Sequence, residues 1–532
     1  MKNKIYTEEM LEEAIDVFSN MSKEEWRKFE MNRDKKKENI KTQFNRKIDF
    51  TNDRNLNMLM DFYELTMSNG YLAKNCENTI AYFDMFFRKV PDNGGFVVVA
   101  GLEQFIEYIE SLRFSEDDIS FLRSKNVFSE EFLSYLSNFK FSGNIYAVPE
   151  GTVMFPNEPI VTVEAPVIEA QLIETLLLLT INHQSLIATK ACRIVKSANG
   201  REIIEMGARR SQGYDGAVYG ARACYIGGIK NTATTLAEKS FGINACGTMA
   251  HSWIQFFDNE YEAFKTYAEL YPDNCSLLID TYDVINSGLP NAIRVNNEVL
   301  KPLGKELKAI RLDSGDIAYL SKKCRKELDK AGIKNCKIVA SNSLDEYIIE
   351  DLLQQDAKVD VFGVGERLIT SKSNPVFGGV YKLVAVKNKD GKIISKIKIS
   401  ENTEKISNPG FKSLYRFADK ETGIFLGDVI ALHDEKIDSK KPYTMFDPIN
   451  TWKKKTLKNF KVKNIQEVIY INGKLVYKNP PLSRIQEYTK EQLRCLPEEI
   501  KRFVNPHIYH VDLSKDLYDL KLNLINKCKK EK

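Results

Sequence analysis

Arginines, close acids and one histidine stand directly behind short apolar runs in the middle of the chain, a pattern suited to gripping a phosphorylated sugar. Between about residues 200 and 370 an apolar run is followed at once by a polar or glycine-rich cluster and then by a helical stretch. The instances are Glu202-Ile-Ile-Glu-Met before Gly207-Ala-Arg-Arg-Ser, Gly242-Ile-Asn-Ala-Cys before Gly247-Thr-Met-Ala-His-Ser, and Ser276-Leu-Leu-Ile before Asp280-Thr-Tyr-Asp. They continue with Lys308-Ala-Ile before Arg311-Leu-Asp-Ser-Gly-Asp, Lys337-Ile-Val-Ala before Ser341-Asn-Ser, and Val359-Asp-Val-Phe before Gly363-Val-Gly-Glu-Arg. The clusters supply Arg209, Arg210, Thr248, His251, Ser252, Asp280, Arg311, Asp313, Gly315, Asp316, Ser341, Asn342, Gly363 and Gly365. Guanidinium forks grip phosphate or carboxylate bidentately, and glycine turns let amide hydrogens approach an anion. Asp313 and Asp316, three residues apart, suit ribose hydroxyls or a Mg²⁺ ion that also bridges a diphosphate. Any one of these residues fits an ordinary turn or salt bridge. One such cluster behind each of six strands does not.

His251 is one of five histidines, and the other four lie outside the clusters. It should stand at the start of a helix beginning near Ser252, where amide hydrogens favour an incoming anion. A neutral imidazole nitrogen can attack phosphorus to give a labile phosphohistidine, although a lone histidine is more often structural. Upstream, Tyr63 in Asp61-Phe-Tyr-Glu-Leu-Thr-Met offers a ring that could stack on a flat heteroaromatic ligand, or equally fill a core.

The elements that must position these residues follow from the repeat. Six strand-and-helix units in a row predict a parallel sheet, closed as a barrel whose strands all end on one rim. The rival is an open doubly wound sheet, but no Gly-x-Gly-x-x-Gly follows an early strand and no P-loop occurs. Strand-like stretches flank the repeat on both sides, at Thr79-Ile-Ala-Tyr-Phe-Asp-Met-Phe-Phe and at Val376-Phe-Gly-Gly-Val-Tyr-Lys-Leu-Val-Ala-Val-Lys among others. The expected organisation is a charged helical arm over residues 1–48, a sandwich part with its linking helix over 49–190, and an α/β barrel carrying the active site over 191–372. A β-rich return over 373–480 then completes the sandwich, and a helical tail occupies 481–532.

Composition narrows the function class. With 77 Lys+Arg against 73 Asp+Glu, the net charge of +4 is too small for a nucleic-acid polymer binder or a polybasic membrane protein, so the expected partners are small molecules. No apolar run approaches the roughly 20 residues that cross a bilayer. Nine cysteines without zinc or redox spacing read as reduced thiols, and no secretory signal opens the chain, so the expected compartment is the cytoplasm.

Taken in order from about residue 55 to 435, the motifs resemble one family. Asp61-Phe-Tyr-Glu-Leu-Thr-Met, Phe86-Phe-Arg, Val148-Pro-Glu-Gly, Glu205-Met-Gly-Ala-Arg-Arg-Ser-Gln-Gly, Gly247-Thr-Met-Ala-His-Ser, Leu278-Ile-Asp-Thr-Tyr, Ile310-Arg-Leu-Asp-Ser-Gly-Asp and Gly378-Gly-Val-Tyr-Lys-Leu are similar to those of nicotinate phosphoribosyltransferases. The resemblance implies that nicotinate and 5-phosphoribosyl 1-diphosphate are joined to give nicotinate mononucleotide and diphosphate, coupled to ATP hydrolysis, in NAD salvage. It also implies a type II phosphoribosyltransferase fold, an irregular α/β barrel packed against a mixed α/β sandwich, in dimers whose active sites form at the interface.

Carried over residue by residue, the resemblance makes His251 the histidine that ATP phosphorylates, sets Thr248 beside the substrates, and makes Tyr63 the ring-stacking tyrosine. Arg209 and Arg311 become substrate arginines, Asp313 and Asp316 bind ribose, diphosphate or Mg²⁺, and Gly363-Val-Gly becomes the 5′-phosphate cradle. Glu366 follows that cradle where some relatives have a hydroxyl residue, so backbone amides or other groups must hold the phosphate. Nicotinamide-specific relatives carry an aspartate near the ring amide. Here Lys230-Asn-Thr-Ala-Thr-Thr-Leu aligns Ala233 there, and a missing acid favours a carboxylate substrate. A non-catalytic nucleotide sensor on the same scaffold should have lost some of the clusters, and a barrel aldolase would want a lysine at a strand end.

Overall fold

The computed structural model describes residues 56–401 and 405–530, so the expected charged arm over 1–48 lies outside the described residues. The segments on either side of the barrel meet in one antiparallel sheet. Its order is Ile393–Ser395, Val380–Lys387, Ile80–Phe86, Val161–Pro166, Asn144–Ala147, Glu467–Ile471 and Lys474–Leu475. The strand Ile80–Phe86 pairs with Val380–Lys387, and Asn144–Ala147 pairs with Glu467–Ile471, so the sequence between 202 and 364 is an insertion into a sheet built from both flanks. Continuous burial along Ala81–Phe86 reflects cover on both faces, since Phe83 and Met85 join the core that includes Phe105, Phe132 and Leu136 of the neighbouring helices, while Tyr82 packs with Val384 and Phe411 and Asp84 pairs with Lys412.

The barrel sheet has seven parallel strands in the order Asn244–Ala245, Asn231–Thr232, Glu202–Glu205, Val361–Val364, Lys337–Ser341, Ala309–Leu312 and Ser276–Leu278. Apart from its starting point this is chain order closed on itself. The sheet therefore curls into an α/β barrel with one open seam, between Asn244–Ala245 and Ser276–Leu278. The expected α/β class and irregular barrel are borne out, with one strand more than the repeat predicted. That strand, Asn231–Thr232, is polar and two residues long, so it lacks the apolar run that marked the others.

Alternation along the strands separates two surfaces. Ile310, Leu312 and Ile338 pack outward in one helix-covered core, and Ala340, Phe362 and Val364 in another. Ala309, Val339 and Val361 form a separate small cluster with Ile204, which plugs the barrel interior. Two residues further along the same faces come Arg311, Ser341, Gly363 and Met206. Periodicity alone thus turns these four toward the mouth.

Two expectations about boundaries are corrected. The linking helix runs from Glu174 to Ser197, seven residues past the expected end, because its buried face continues through Ile194 and Ser197. The tail is not purely helical: Val511–Leu513 adds a parallel strand beside Phe425–Leu432 in a separate four-stranded sheet, between the helices Leu482–Cys495 and Lys515–Lys530. Among the described residues no helix is long and apolar enough to cross a membrane.

Sandwich and barrel are bolted together by Arg222, which is 0% exposed on the helix Gly213–Ile226. Its guanidinium donates to Glu150 at 2.6 and 2.8 Å, to Glu103 at 2.7 Å and to Gln184 at 2.9 Å. Removing one partner of such a group leaves buried charge without compensation. Arg222→Leu is expected to cost about 3–5 kcal/mol of stability, read as a lower urea midpoint, because Glu150 stays buried.

Candidate active site

The mouth is built from four successive strand ends and the segment beside the seam. Arg311, at 14% side-chain exposure, donates through Nη1 to Thr248 Oγ1 at 2.6 Å and to the Met249 carbonyl at 3.1 Å. Its other amino group lies 4.0 Å from Asp313 Oδ1. Asp313 Oδ1 accepts from the Ser341 hydroxyl, and Asp313 Oδ2 stands 3.9 Å from His251 Nε2. His251 Nδ1 meets Thr281 Oγ1 at 3.1 Å. Asp280 Oδ2 accepts the Asp313 amide at 2.9 Å and the Ser314 hydroxyl at 2.6 Å. Thr248, His251, Asp280, Arg311, Asp313 and Ser341 thus form one connected group.

Electrostatically the mouth is unfinished. Burial pulls the Arg311 guanidinium below its ordinary pKa, Asp313 and Asp280 oppose that shift, and Arg209 adds to it. Arg209 is therefore near enough to reinforce a positive rim. Arg311 Nε and Asp280 Oδ1 are buried and have no hydrogen-bond partner. Buried polar atoms are nearly always paired, so a donor and an acceptor left open in one cleft mark a place for a polar ligand.

The other residues expected in the clusters lie as follows. His251 opens the short helix His251–Phe256, one residue before the expected start. Arg209 and Arg210 lie exposed on the turn after Glu202–Glu205, and Arg210 faces Glu366 at 3.8 Å. Lys372 pairs with Glu366 at 2.7 Å and holds its carboxyl below the usual range, so the acid after the glycines is neutralised by two cations. Gly363 sits under the mouth: a Cβ there would lie 2.7 Å from Met206 Sδ and 3.2 Å from Ser341 Cβ, so any larger residue must displace the Met206 side chain. Gly365 precedes the helix Glu366–Ile369. Asn342 and Ser343 turn the chain after their strand in left-handed conformations, with φ of 81° and 53°. Gly315 does the same at φ 79° between Ser314 and Asp316. Ser252 is exposed on the His251 helix.

Two expectations differ. Asp316 Oδ1 accepts the Tyr319 amide at 2.9 Å and caps the helix Ile317–Lys330, so the acid beside Asp313 is Asp280 rather than Asp316. Tyr63 makes no hydrogen bond to the connected group among the described residues. It lies on the helix Phe62–Ala73 of the sandwich, 43% exposed, where burial, Glu174 and Glu64 hold its hydroxyl proton more tightly than usual. Sequence reading missed Thr281 and Ser314, although both stood inside the quoted clusters. Small hydroxyls next to acids were the available signal.

Sequence models of the nicotinate phosphoribosyltransferase (NAPRTase) N-terminal domain, family and C-terminal domain match residues 58–182, 202–418 and 411–521. The chain belongs to the nicotinate phosphoribosyltransferase family. It is 45% identical over 480 residues to the nicotinate phosphoribosyltransferase of Bacillus subtilis, covering 90% of this chain and 96% of that protein. It is 34% identical over 524 residues to the one from Caenorhabditis elegans, covering 87% and 92%. Among solved structures it is similar to human nicotinic acid phosphoribosyltransferase, with a TM-score of 0.77 at 27% identity over 88% of this chain and 100% of that one. A nicotinate phosphoribosyltransferase fold thus carries the Arg311–Asp313–His251 group at its barrel mouth.

Proposed function

We propose that the chain joins nicotinate to 5-phosphoribosyl 1-diphosphate, forming nicotinate mononucleotide and diphosphate, with ATP hydrolysis coupled to the transfer. The observation that carries this reading is the Arg311, Asp280 and Asp313 group, open at Arg311 Nε and Asp280 Oδ1, at the mouth of a fold shared with this family. Departure of diphosphate leaves oxocarbenium character at the anomeric carbon while the pyridine nitrogen attacks. The chain's task is to align the two reactants and to hold charge. Arg311 and Arg209 bind anionic oxygens, Asp313 and Asp280 accept from ribose hydroxyls, and Thr248 and Ser341 fix the orientation of Arg311 and Asp313.

Among the described residues no group of three or more His, Cys, Asp or Glu side chains forms a cage for a metal. Mg²⁺ keeps much of its water and is held by one or two carboxylates together with substrate phosphates. Asp313 and the unpaired Asp280 Oδ1 fit that role better than Asp316, whose Oδ1 caps a helix. Bound there, the ion would neutralise charge on the departing diphosphate. His251 is assigned to ATP: a ring nitrogen forms a bond to the γ-phosphorus as the bond to ADP breaks, and water later cleaves the nitrogen–phosphorus bond to release phosphate.

The 5′-phosphate is assigned to the Gly363–Gly365 turn and the base to the space between Arg209 and Ala233. An acid at 233 would repel the nicotinate carboxylate as a like charge. Initial rates with nicotinate and with nicotinamide, with and without ATP, test the reading: nicotinate is preferred, ATP lowers its KM, and Ala233→Asp raises that KM by about tenfold. Equal use of both bases contradicts it.

Tyr63 is assigned to a second copy of the chain. It shares Glu174 with Lys382, so an exposed ring stands near an acid and lysine on the sandwich. A dimer that brings this patch to the partner's mouth completes the site. Mixing inactive Tyr63→Ala and Arg311→Ala chains is then expected to restore activity that neither shows alone. The nine free thiols support a cytoplasmic setting.

A further inference from the structure

Glu205 ends the first barrel strand with its side chain 1% exposed. One carboxylate oxygen, Oε1, accepts the Gly207 amide. The other, Oε2, accepts from Thr232 Oγ1 at 2.6 Å and from Thr234 Oγ1 at 3.5 Å. Thr232 Oγ1 in turn accepts the Thr234 amide at 3.0 Å, and the Glu205 carbonyl accepts the Ala233 amide at 2.7 Å. One buried carboxylate therefore ties together the turn that carries Arg209 and the loop that carries Ala233.

Strand pairing does not require this carboxylate. The backbone ladder already sets Glu205 opposite Thr232 and Ile204 opposite Asn231, and an apolar side chain would fill the same space without the cost of burying an acid. What the carboxylate adds lies beyond the ladder, at Gly207 and Thr234. Gly207 is closed from the other side by Ile369, whose Cβ would stand 2.5 Å from an added Cβ. The Arg209 turn is thus clamped between Ile369 and Glu205.

We propose that Glu205 is a positioning residue that sets the width of the base subsite, by holding the Arg209 turn and the Ala233 loop on either side of the nicotinate carboxylate. This rests on the base subsite assigned under Proposed function. Glu205 touches no substrate itself, so it governs base affinity and base choice, not binding of the phosphoribosyl donor.

Steady-state kinetics of Glu205→Gln, Glu205→Ala and Thr232→Val, with melting temperatures, test it. Thr232→Val keeps size while removing the donor to Glu205 and the acceptor of the Thr234 amide, and it supplies a second variant if Glu205→Ala does not fold. Glu205→Ala and Thr232→Val are expected to raise the nicotinate KM by about tenfold, to keep the donor KM within about twofold, and to narrow the preference for nicotinate over nicotinamide. Glu205→Gln retains an acceptor for Gly207 and a polar partner for the threonines, and is expected to recover most of the wild-type base KM. Unchanged nicotinate KM in folded Thr232→Val, or parallel losses in both KM values and melting temperature, overturns the proposal. A wild-type protein that does not use nicotinate at all sinks the functional reading instead, which separates the two failures.

Discussion

Arg311→Ala is expected to lower kcat by about 10²- to 10³-fold while the protein stays folded. Arg311 is the best-oriented cation at the mouth, fixed by Thr248 and the Met249 carbonyl, with Nε free. Charge that develops on the departing diphosphate falls in a site where a fixed guanidinium acts with little reorganisation. Losing it should leave the fold nearly untouched, because its acidic neighbour Asp313 is 33% exposed and water can replace the cation. Arg311→Lys is expected to recover little, since an ammonium cannot reproduce a planar fork that serves Thr248, the Met249 carbonyl and a ligand together. Rapid-quench turnover beside circular dichroism checks both parts. A variant that keeps wild-type kcat removes Arg311 from the site.

His251→Ala is expected to abolish ATP hydrolysis while leaving a slow transfer of phosphoribosyl to nicotinate. The imidazole is held through Nδ1 by Thr281, and its Nε2 points toward Asp313, so one residue connects the phosphoryl-accepting group to the acid assigned to the sugar. That connection gives a physical route for coupling. Phosphorylation of the ring would place a charge of about −1.5 to −2 close to Asp313, and the repelled carboxylate would shift within the mouth. In the alanine variant Arg311 and Asp313, the groups assigned to the phosphoribosyl donor, are unaltered, so the transfer itself is expected to survive. Product formation and phosphate release measured in the same reaction decide the matter. Continued ATP hydrolysis in step with product contradicts the role given to His251.

The strand-end clusters were readable in the sequence because a buried parallel strand needs an apolar run and its mouth needs polar or glycine residues. Where that contrast fades, the reading fails. Asn231–Thr232 is polar and pairs only through neighbours in space, and Val511–Leu513 is short and hidden between two helices. The same limit applied to the site. Spacing suggested Asp316 as the companion of Asp313, but Asp316 caps its own helix and the fold delivers Asp280 from a different strand end. Glu205 stood unmarked inside the run Glu202-Ile-Ile-Glu-Met, and its hold on Gly207 and Thr232 exists only once two segments curl side by side. Local chemistry was legible, whereas partners brought together by the barrel were not. Tyr63 was singled out by its motif, and it lies on a sandwich helix that no strand periodicity connects to the mouth.

The most direct measurement is the conversion of labelled nicotinate in the presence of 5-phosphoribosyl 1-diphosphate, with nicotinate mononucleotide and diphosphate quantified together for wild type and Arg311→Ala. Equimolar appearance of both products from wild type, nearly lost in the variant, is the expected result. No nucleotide from nicotinate, or equal yields from the two proteins, would contradict the assignment of this mouth to phosphoribosyl transfer.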